Sequence, residues 1–231
     1  MTDSKNQHTI FERLVSLPLF IGMTHDEMND IIAHTKLDFQ KYSSGQQIIY
    51  ADQPCNEIKI LMTGNLKMYA EPIDHSYRME ETISTPTLLE PERLFGLMPR
   101  YANDYRSEMK CSILSITKQD VFKLLSQYEI IHFNFMNIVS TRSQTDRLRL
   151  WMPQQSNIFK KISFFLTTHC MYLSGEKKLT ITMQHLARLI GESRINTSDA
   201  LHTMEKSDVI ILQRNVITVP SLQKLIQFSN N

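Results

Sequence analysis

"HLARLIGESRINTSDAL", residues 185–201, carries the pattern that decides how the rest of the chain is read. Two helical stretches meet here across a short polar turn. A steep meeting of helices needs a small side chain at the close approach and a residue free to take positive φ in the turn; Ala187 and Gly191 stand at those places. Ser193 suits the N-cap of the second helix, whose amino terminus can itself hold a phosphate. At helical spacing Thr197, Ala200, Leu201 and Met204 fall inward, which leaves Arg194, Ile195, Ser198 and Asp199 outward, with Asn196 beside them in the first turn. Outward residues at the start of such a helix are the ones that enter a DNA major groove, and an arginine there can take a guanine through two hydrogen bonds or hold a phosphate.

Downstream, "VIILQRNVITVP" (209–220) predicts a two-stranded hairpin over a tight Arg214-Asn215 turn. Helix, glycine-containing turn, helix and hairpin make a winged helix-turn-helix, with a further helix over "NIFKKISFFLTTHC" (157–170) ahead of it. His185, Lys206, Arg214, Lys177 and Lys178 could supply phosphate contacts, although any one lysine is as readily a solvated charge. Upstream, Val121 to Leu150 contains no Gly or Pro, and Leu124, Tyr128, Ile131, Phe135, Ile138 and Arg142 recur at spacings of three and four. One helix over about 119–150 follows, roughly 45 Å long at 1.5 Å per residue, closed by Pro153. Its surplus length predicts a dimer seam; the alternative is a helix packed wholly within one subunit.

Between Leu37 and Thr117 the period shortens. Strands are expected near Gln47–Tyr50, Glu57–Met62 and Asn65–Ala70, with turns at Ser44-Gly45, Gln53-Pro54 and Thr63-Gly64, a rhythm of antiparallel barrels and sandwiches. Ahead of them lie two helices broken at Pro18, the second opened by Thr24 with Glu27 three residues on.

The length of 231 residues predicts two domains, placed at 1–150 and 151–231. Hydrophobic residues make up 42% and charged residues 21%, a globular balance. Net charge is +1, but residues 151–231 hold nine Lys/Arg against five Asp/Glu, which favours a polyanionic partner for that part. The polar opening "MTDSKNQHTIFERL" is neither signal peptide nor membrane anchor, so a cytoplasmic protein is expected. Cys55, Cys111 and Cys170 are odd in number and far apart, giving no disulfide framework and no zinc spacing; reduced, mostly buried thiols are expected. No paired nucleophile and base, metal spacing or Gly-rich phosphate loop points to an enzyme.

Taken in order, "LPLFIGMT", "YSSGQQII", "ILMTGNLKMY", "LFGLMPRYANDYRSEMKCSILSI" and "HLARLIGESRINTSDAL" resemble the CRP/FNR family of transcription regulators over nearly all of residues 11–220. The resemblance implies an α+β chain: an amino-terminal antiparallel β-roll of the cyclic-nucleotide-binding, jelly-roll-like type with a long dimerisation helix, then a winged helix-turn-helix. It further implies a homodimer on a palindromic duplex, with RNA polymerase as a further partner and a small-molecule effector still unidentified.

The family's nucleotide cassette matches here at Gly96 and at Arg106-Ser107, but Leu97 stands where a ribose-binding glutamate is expected. A leucine accepts no hydrogen bond, and an unpaired buried hydroxyl costs roughly 1–3 kcal/mol, which weighs against cyclic AMP. Arg106 would still suit another anion, and on the long helix only Ser143, next to Arg142, matches the family's base-contacting hydroxyls. In the recognition helix Ser193 and Arg194 carry over, whereas Ile195 and Asp199 replace a glutamate and an arginine, so a different operator is expected. The same two residues support an alternative, a ligand-binding or interaction module whose helix-turn-helix has lost DNA. With no cysteine before Cys55, the family's iron–sulfur sensor is excluded; a haem would have only His75 and Cys111 at hand.

Overall fold

The computed structural model describes residues 11–150, 157–172 and 174–230. After a helical turn at 11–15, the elements are α1 (His25–His34), β1 (Asp38–Tyr42), β2 (Gln47–Ile49), β3 (Glu57–Thr63), β4 (Asn65–Ala70), β5 (Arg78–Ser84), β6 (Thr87–Leu89), β7 (Asp104–Ser107) and β8 (Cys111–Thr117). Then follow α2 (Lys118–Gln127), α3 (Glu129–Leu150), α4 (Ile158–Thr168), β9 (Lys177–Thr180), α5 (Met183–Ile190), α6 (Arg194–Lys206), β10 (Ile211–Gln213), β11 (Val216–Val219) and α7 (Leu222–Asn230). The α+β class with antiparallel strands is as expected. By contact the chain divides into two units, Met1–Leu66 with Ser84–Leu148, and Lys67–Ile83 with Arg149–Asn231. A segment of the strand-rich half therefore belongs with the carboxy-terminal helices, which the order of elements along the chain does not suggest.

In the first unit β1, β8, β3 and β6 form an antiparallel sheet, and β2 pairs with β7. Ile58, Ile60 and Leu61 of β3 and Ile113, Leu114 and Ile116 of β8 are at most 1% exposed, and the adjacent pairs Ile60-Leu61 and Ile113-Leu114 can both be buried only in strands covered on both faces. Helix α1 starts with the expected capping box: Thr24 Oγ1 accepts from Glu27 N at 3.3 Å, and Glu27 Oε2 accepts from Thr24 N at 2.9 Å. The Glu27 carboxyl is accordingly held below its ordinary pKa, first by its bond to the Thr24 side chain.

One helix over 119–150 was expected, and the structure breaks it. Tyr128 is extended, at φ −120° and ψ 108°, between α2 and α3. No Gly or Pro marks the break. An aromatic residue sits as easily in extended backbone as in a helix, and the Tyr128 hydroxyl is tied to the Asp30 carboxylate on α1. Of the stripe expected as a seam, Leu124, Ile131 and Phe135 are buried in their own unit, while Tyr128, Ile138 and Arg142 are half-buried. Phe133 and Met136 are exposed apolar side chains of α3, at 68% and 52% exposure. The stop expected at Pro153 lies outside the described residues.

Glu90 organises the loop that follows β6. It is fully buried, and its carboxylate accepts from Ala102 N (2.6 Å), Asn103 N (3.1 Å), Asn103 Nδ2 (2.7 Å) and Tyr105 Oη (3.1 Å). Burial nonetheless pushes its pKa up. A raised folded-state pKa gives stability that is full below the ordinary value and is lost as pH rises through the raised one. Against a non-titrating Glu90→Gln variant, the wild type should therefore gain relative stability as pH falls from neutral toward 4.5, the ordinary value, in urea titrations. Glu90→Ala, which strands the donors of four hydrogen bonds, should cost about 2–4 kcal/mol at neutral pH in the same titrations.

In the second unit α4 to α7 enclose a core that includes Ile162, Leu166, Leu186, Leu201, Met204 and Leu225, all at most 1% exposed. Its sheet runs β10, β11, β9, β5, β4, all neighbours hydrogen-bonded. The wing hairpin over Arg214-Asn215 falls where expected, as β10 and β11. Strand β9 was not expected, nor was β5 as its partner.

Candidate nucleic-acid interface

Thr182 caps α5 by accepting from His185 N at 3.2 Å, and Gly191 ends it at φ +67°, ψ 41°. A Cβ on Gly191 would meet nothing within 4 Å, so the glycine is required by backbone conformation and not by room. Glu192 N then returns to Ala187 O at 2.9 Å, and Ser193 caps α6, its Oγ accepting from Asn196 N at 3.0 Å. Ala187 is 3% exposed at the helix crossing.

The faces of α6 fall as the spacing predicts. Thr197, Ala200, Leu201 and Met204 are buried; Arg194, Ile195, Asn196 and Asp199 are exposed; Ser198 is half-buried. Arg214 and Asn215 are exposed at the wing turn, where Asn215 takes φ +59°. Glu205 ties the wing to the helix, its Oε1 accepting from Leu212 N at 3.0 Å, above a crevice of about 430 Å³ lined by Leu201, His202, Glu205 and Arg214. The second unit thus joins the wing to the Leu201–Glu205 part of α6, with the Arg194–Asp199 face exposed on the same helix.

The flanking cations divide. Lys178 is half-buried and Lys206 is exposed, but Lys177 is fully buried, with Nζ 3.0 Å from Glu81 Oε2 and donating to Ser174 O at 2.6 Å. Lys177 is therefore no phosphate ligand, because strand alternation turns it into the core. His185 is half-buried against the Tyr77 ring and within 2.8 Å of the Arg188 guanidinium. Arg188 is exposed beside it and was missed; its signal was a lone charge between Ala187 and Leu189, on the outer side of α5. Lys161 lies 2.6 Å from Glu192, just ahead of the α6 cap, and that hydrogen bond holds the Glu192 carboxyl below its ordinary pKa.

The residues expected around a small anion are placed as follows. Gly96 takes φ +91° with nothing within 4 Å of a Cβ, and Leu97 beside it is fully exposed. Successive residues of β7 face opposite ways, so Arg106 is exposed, with Nε 3.3 Å from Gln47 Oε1, and Ser107 is buried. The Ser107 hydroxyl accepts from Gln46 N at 3.0 Å and donates to Ser43 O, which uses it within the turn before β2. Ser143 is exposed on α3, while Arg142 pairs with Glu92 at 2.8 Å and donates to Leu88 O. Of the two residues considered for haem, Cys111 is buried and His75 is exposed and bonded to Glu71 at 2.6 Å. Among the described residues no group of three or more His, Cys, Asp and Glu is placed to hold a metal, and no helix is long and apolar enough to cross a membrane.

No protein-family model and no curated protein matches the sequence. Solved structures do. The catabolite activator protein of Thermus thermophilus matches at 16% identity and a TM-score of 0.52, covering 92% of this chain and 98% of its own. The sensor domain of the transcriptional regulator DNR of Pseudomonas aeruginosa matches at 15% identity and a TM-score of 0.52, covering 66% of this chain and 99% of its own. The chain has the fold of the catabolite activator protein, the fold that its CRP/FNR-like motifs imply.

Cap and outer face should separate by mutation. Ser193→Ala should lower stability by about 1 kcal/mol in denaturant titrations, whereas Arg194→Ala, whose side chain is exposed, should stay within about 0.5 kcal/mol.

Proposed function

We propose that the protein is a sequence-specific DNA-binding transcription regulator that acts as a homodimer on a palindromic site. The observation that carries the proposal is the outer face of α6, where Arg194, Ile195, Asn196 and Asp199 stand exposed at the end capped by Ser193, on the helix whose Glu205 holds the wing with its exposed turn of Arg214 and Asn215. In this reading Arg194 takes a guanine, Ile195 packs on a thymine methyl, and Asp199 accepts from a cytosine amino group. Ser193, Ser198 and Arg214 serve the backbone and groove edge, and Arg188 joins them as a phosphate contact. Exposed Phe133 and Met136 on α3 support a seam with a second copy, and two recognition helices would then need half-sites about 34 Å apart. Fully exposed Leu97 and the internally used Ser107 hydroxyl support a roll that does not take cyclic AMP in the family's usual way; exposed Arg106, held by one bond to Gln47, is the cation that would meet an anionic effector of another kind. Such an effector would act only through unequal affinity for two arrangements of the dimer. RNA polymerase is the further partner that a regulator of this kind implies.

The test is selection of bound sequences from random duplex DNA by the full-length protein at stated salt. An enriched palindrome is expected. A second reading, an interaction module that has left DNA, is favoured by Ile195, an apolar side chain 72% exposed on the outer face; it is the reading left standing if nothing is enriched with or without cell metabolites.

On the selected site Arg194→Ala should cost about 1–3 kcal/mol, roughly 5- to 150-fold in Kd, and relax the preference at one position of each half-site. Arg214→Ala should weaken all sequences alike and lower the slope of log K against log salt by about one. Phe133→Asp with Met136→Asp should shift the protein toward monomer in sedimentation while leaving its circular dichroism unchanged.

A further inference from the structure

The segment Lys67–Ile83 enters and leaves the second unit through Leu66 and Ser84, both residues of the first. Within the second unit β5 pairs with β9 through Arg78↔Thr180, Met79↔Leu179, Glu80↔Lys178 and Glu81↔Lys177. Strand β9 pairs in turn with β11 through Thr180↔Val216, Leu179↔Ile217, Lys178↔Thr218 and Lys177↔Val219, and β11 pairs with β10 of the wing. The rows run unbroken across four strands: Met79, Leu179, Ile217 and Leu212 make one, and Arg78, Thr180, Val216 and Gln213 make the next, which borders the wing turn. The wing is the far edge of a sheet in which β5 of the hairpin is the strand paired with β9.

The hairpin is joined to that sheet by more than its ladder. Glu81 and Lys177 are both fully buried, and the Glu81 carboxylate also accepts from Met171 N (2.5 Å) and Tyr172 N (3.0 Å). Met79, 1% exposed, lies in the core formed by α4 to α7, and the Tyr77 ring packs edge-on against Phe165 and His169. A Cβ on Gly175 would come within 3.3 Å of Thr82 O, so the chain approaching β9 runs close against β5. The hairpin tip meets the wing turn across a cavity of about 370 Å³ lined by Glu71, His75, Tyr77, Thr182 and Asn215. A buried ion pair is a poor source of net stability compared with two apolar side chains, but a slip of one residue between β5 and β9 would turn Glu81 or Lys177 to the wrong face and leave a charge buried alone. The pair therefore fixes register.

We infer that the hairpin 67–83 is the arm that sets the wing: its register on β9, pinned by Glu81 and Lys177, places β11 and with it Arg214 and Asn215. This rests on the DNA-binding reading for its consequence, though not for its geometry.

Hydrogen exchange on the full-length protein tests the coupling without DNA. Glu81→Gln strands the Lys177 ammonium and should speed exchange at least tenfold in β9 and also in β11, two strands away. It should also weaken the selected operator at least fivefold. Glu80→Gln, at a half-buried neighbour paired with Lys67, should do neither. Should Glu81→Gln fail to fold, Glu81→Gln with Lys177→Met removes both charges and leaves none alone; faster β11 exchange is expected there too. Fast exchange confined to 67–83 and β9, with β11 at wild-type rates in whichever variant folds, would overturn the inference. A wild type that selects no operator while β11 follows Glu81 would overturn the DNA reading and leave the arm standing.

Discussion

A carboxylate removed from water must have its oxygens met by donors, and each unit of this protein is arranged around one that is. Glu90 in the first unit and Glu81 in the second are both fully buried. Each accepts from two consecutive backbone amides, Ala102 with Asn103 and Met171 with Tyr172. Neighbouring amides aimed at one carboxylate fix the local path of the chain more tightly than apolar packing, which tolerates small slides. The first carboxylate shapes the loop that returns to β7, and the second fastens a hairpin distant in sequence to the chain between α4 and β9.

What could be read without coordinates was whatever local chemistry settles. The turn at Gly191, the cap at Ser193 and the inward set Thr197, Ala200, Leu201 and Met204 all follow from spacing, and each stands where spacing puts it. The capping box at Thr24 and Glu27 and the hairpin over Arg214-Asn215 were legible for the same reason. What stayed hidden was long-range. Nothing near Lys177 in the sequence says that it will meet Glu81, so it looked like one more surface lysine. The break at Tyr128 is equally silent, because the residue carries no helix-breaking signature and is held by a hydroxyl bond to α1. Periodicity correctly found an apolar stripe on this stretch but could not say whether its own subunit or a second copy would cover it.

On the candidate interface, local chemistry gave the residues and the fold gave their company. Arg188 enters only because α5 turns it outward beside His185, and Lys177 leaves because β9 turns it inward. The outer face of α6 is less cationic than a generic phosphate-binding surface: an arginine, an isoleucine, an asparagine and an aspartate. On the DNA-binding reading proposed above, such a mixture would give little attraction that is blind to sequence and would leave discrimination to the base edges.

The pairing of β5 with β9 also has a bearing on how the molecule is made. Glu81 lies 90 residues before the Met171 amide that it accepts from. During synthesis the hairpin is complete long before its partner strand leaves the ribosome, so Met79 and Glu81 must wait, one apolar and one charged, for a surface not yet translated. A fragment beginning at residue 151 would carry the converse defect, with β9 as an open sheet edge and Lys177 lacking its counter-ion. The carboxy-terminal helices and wing are contiguous in sequence, yet their core and sheet are completed by residues 67–83.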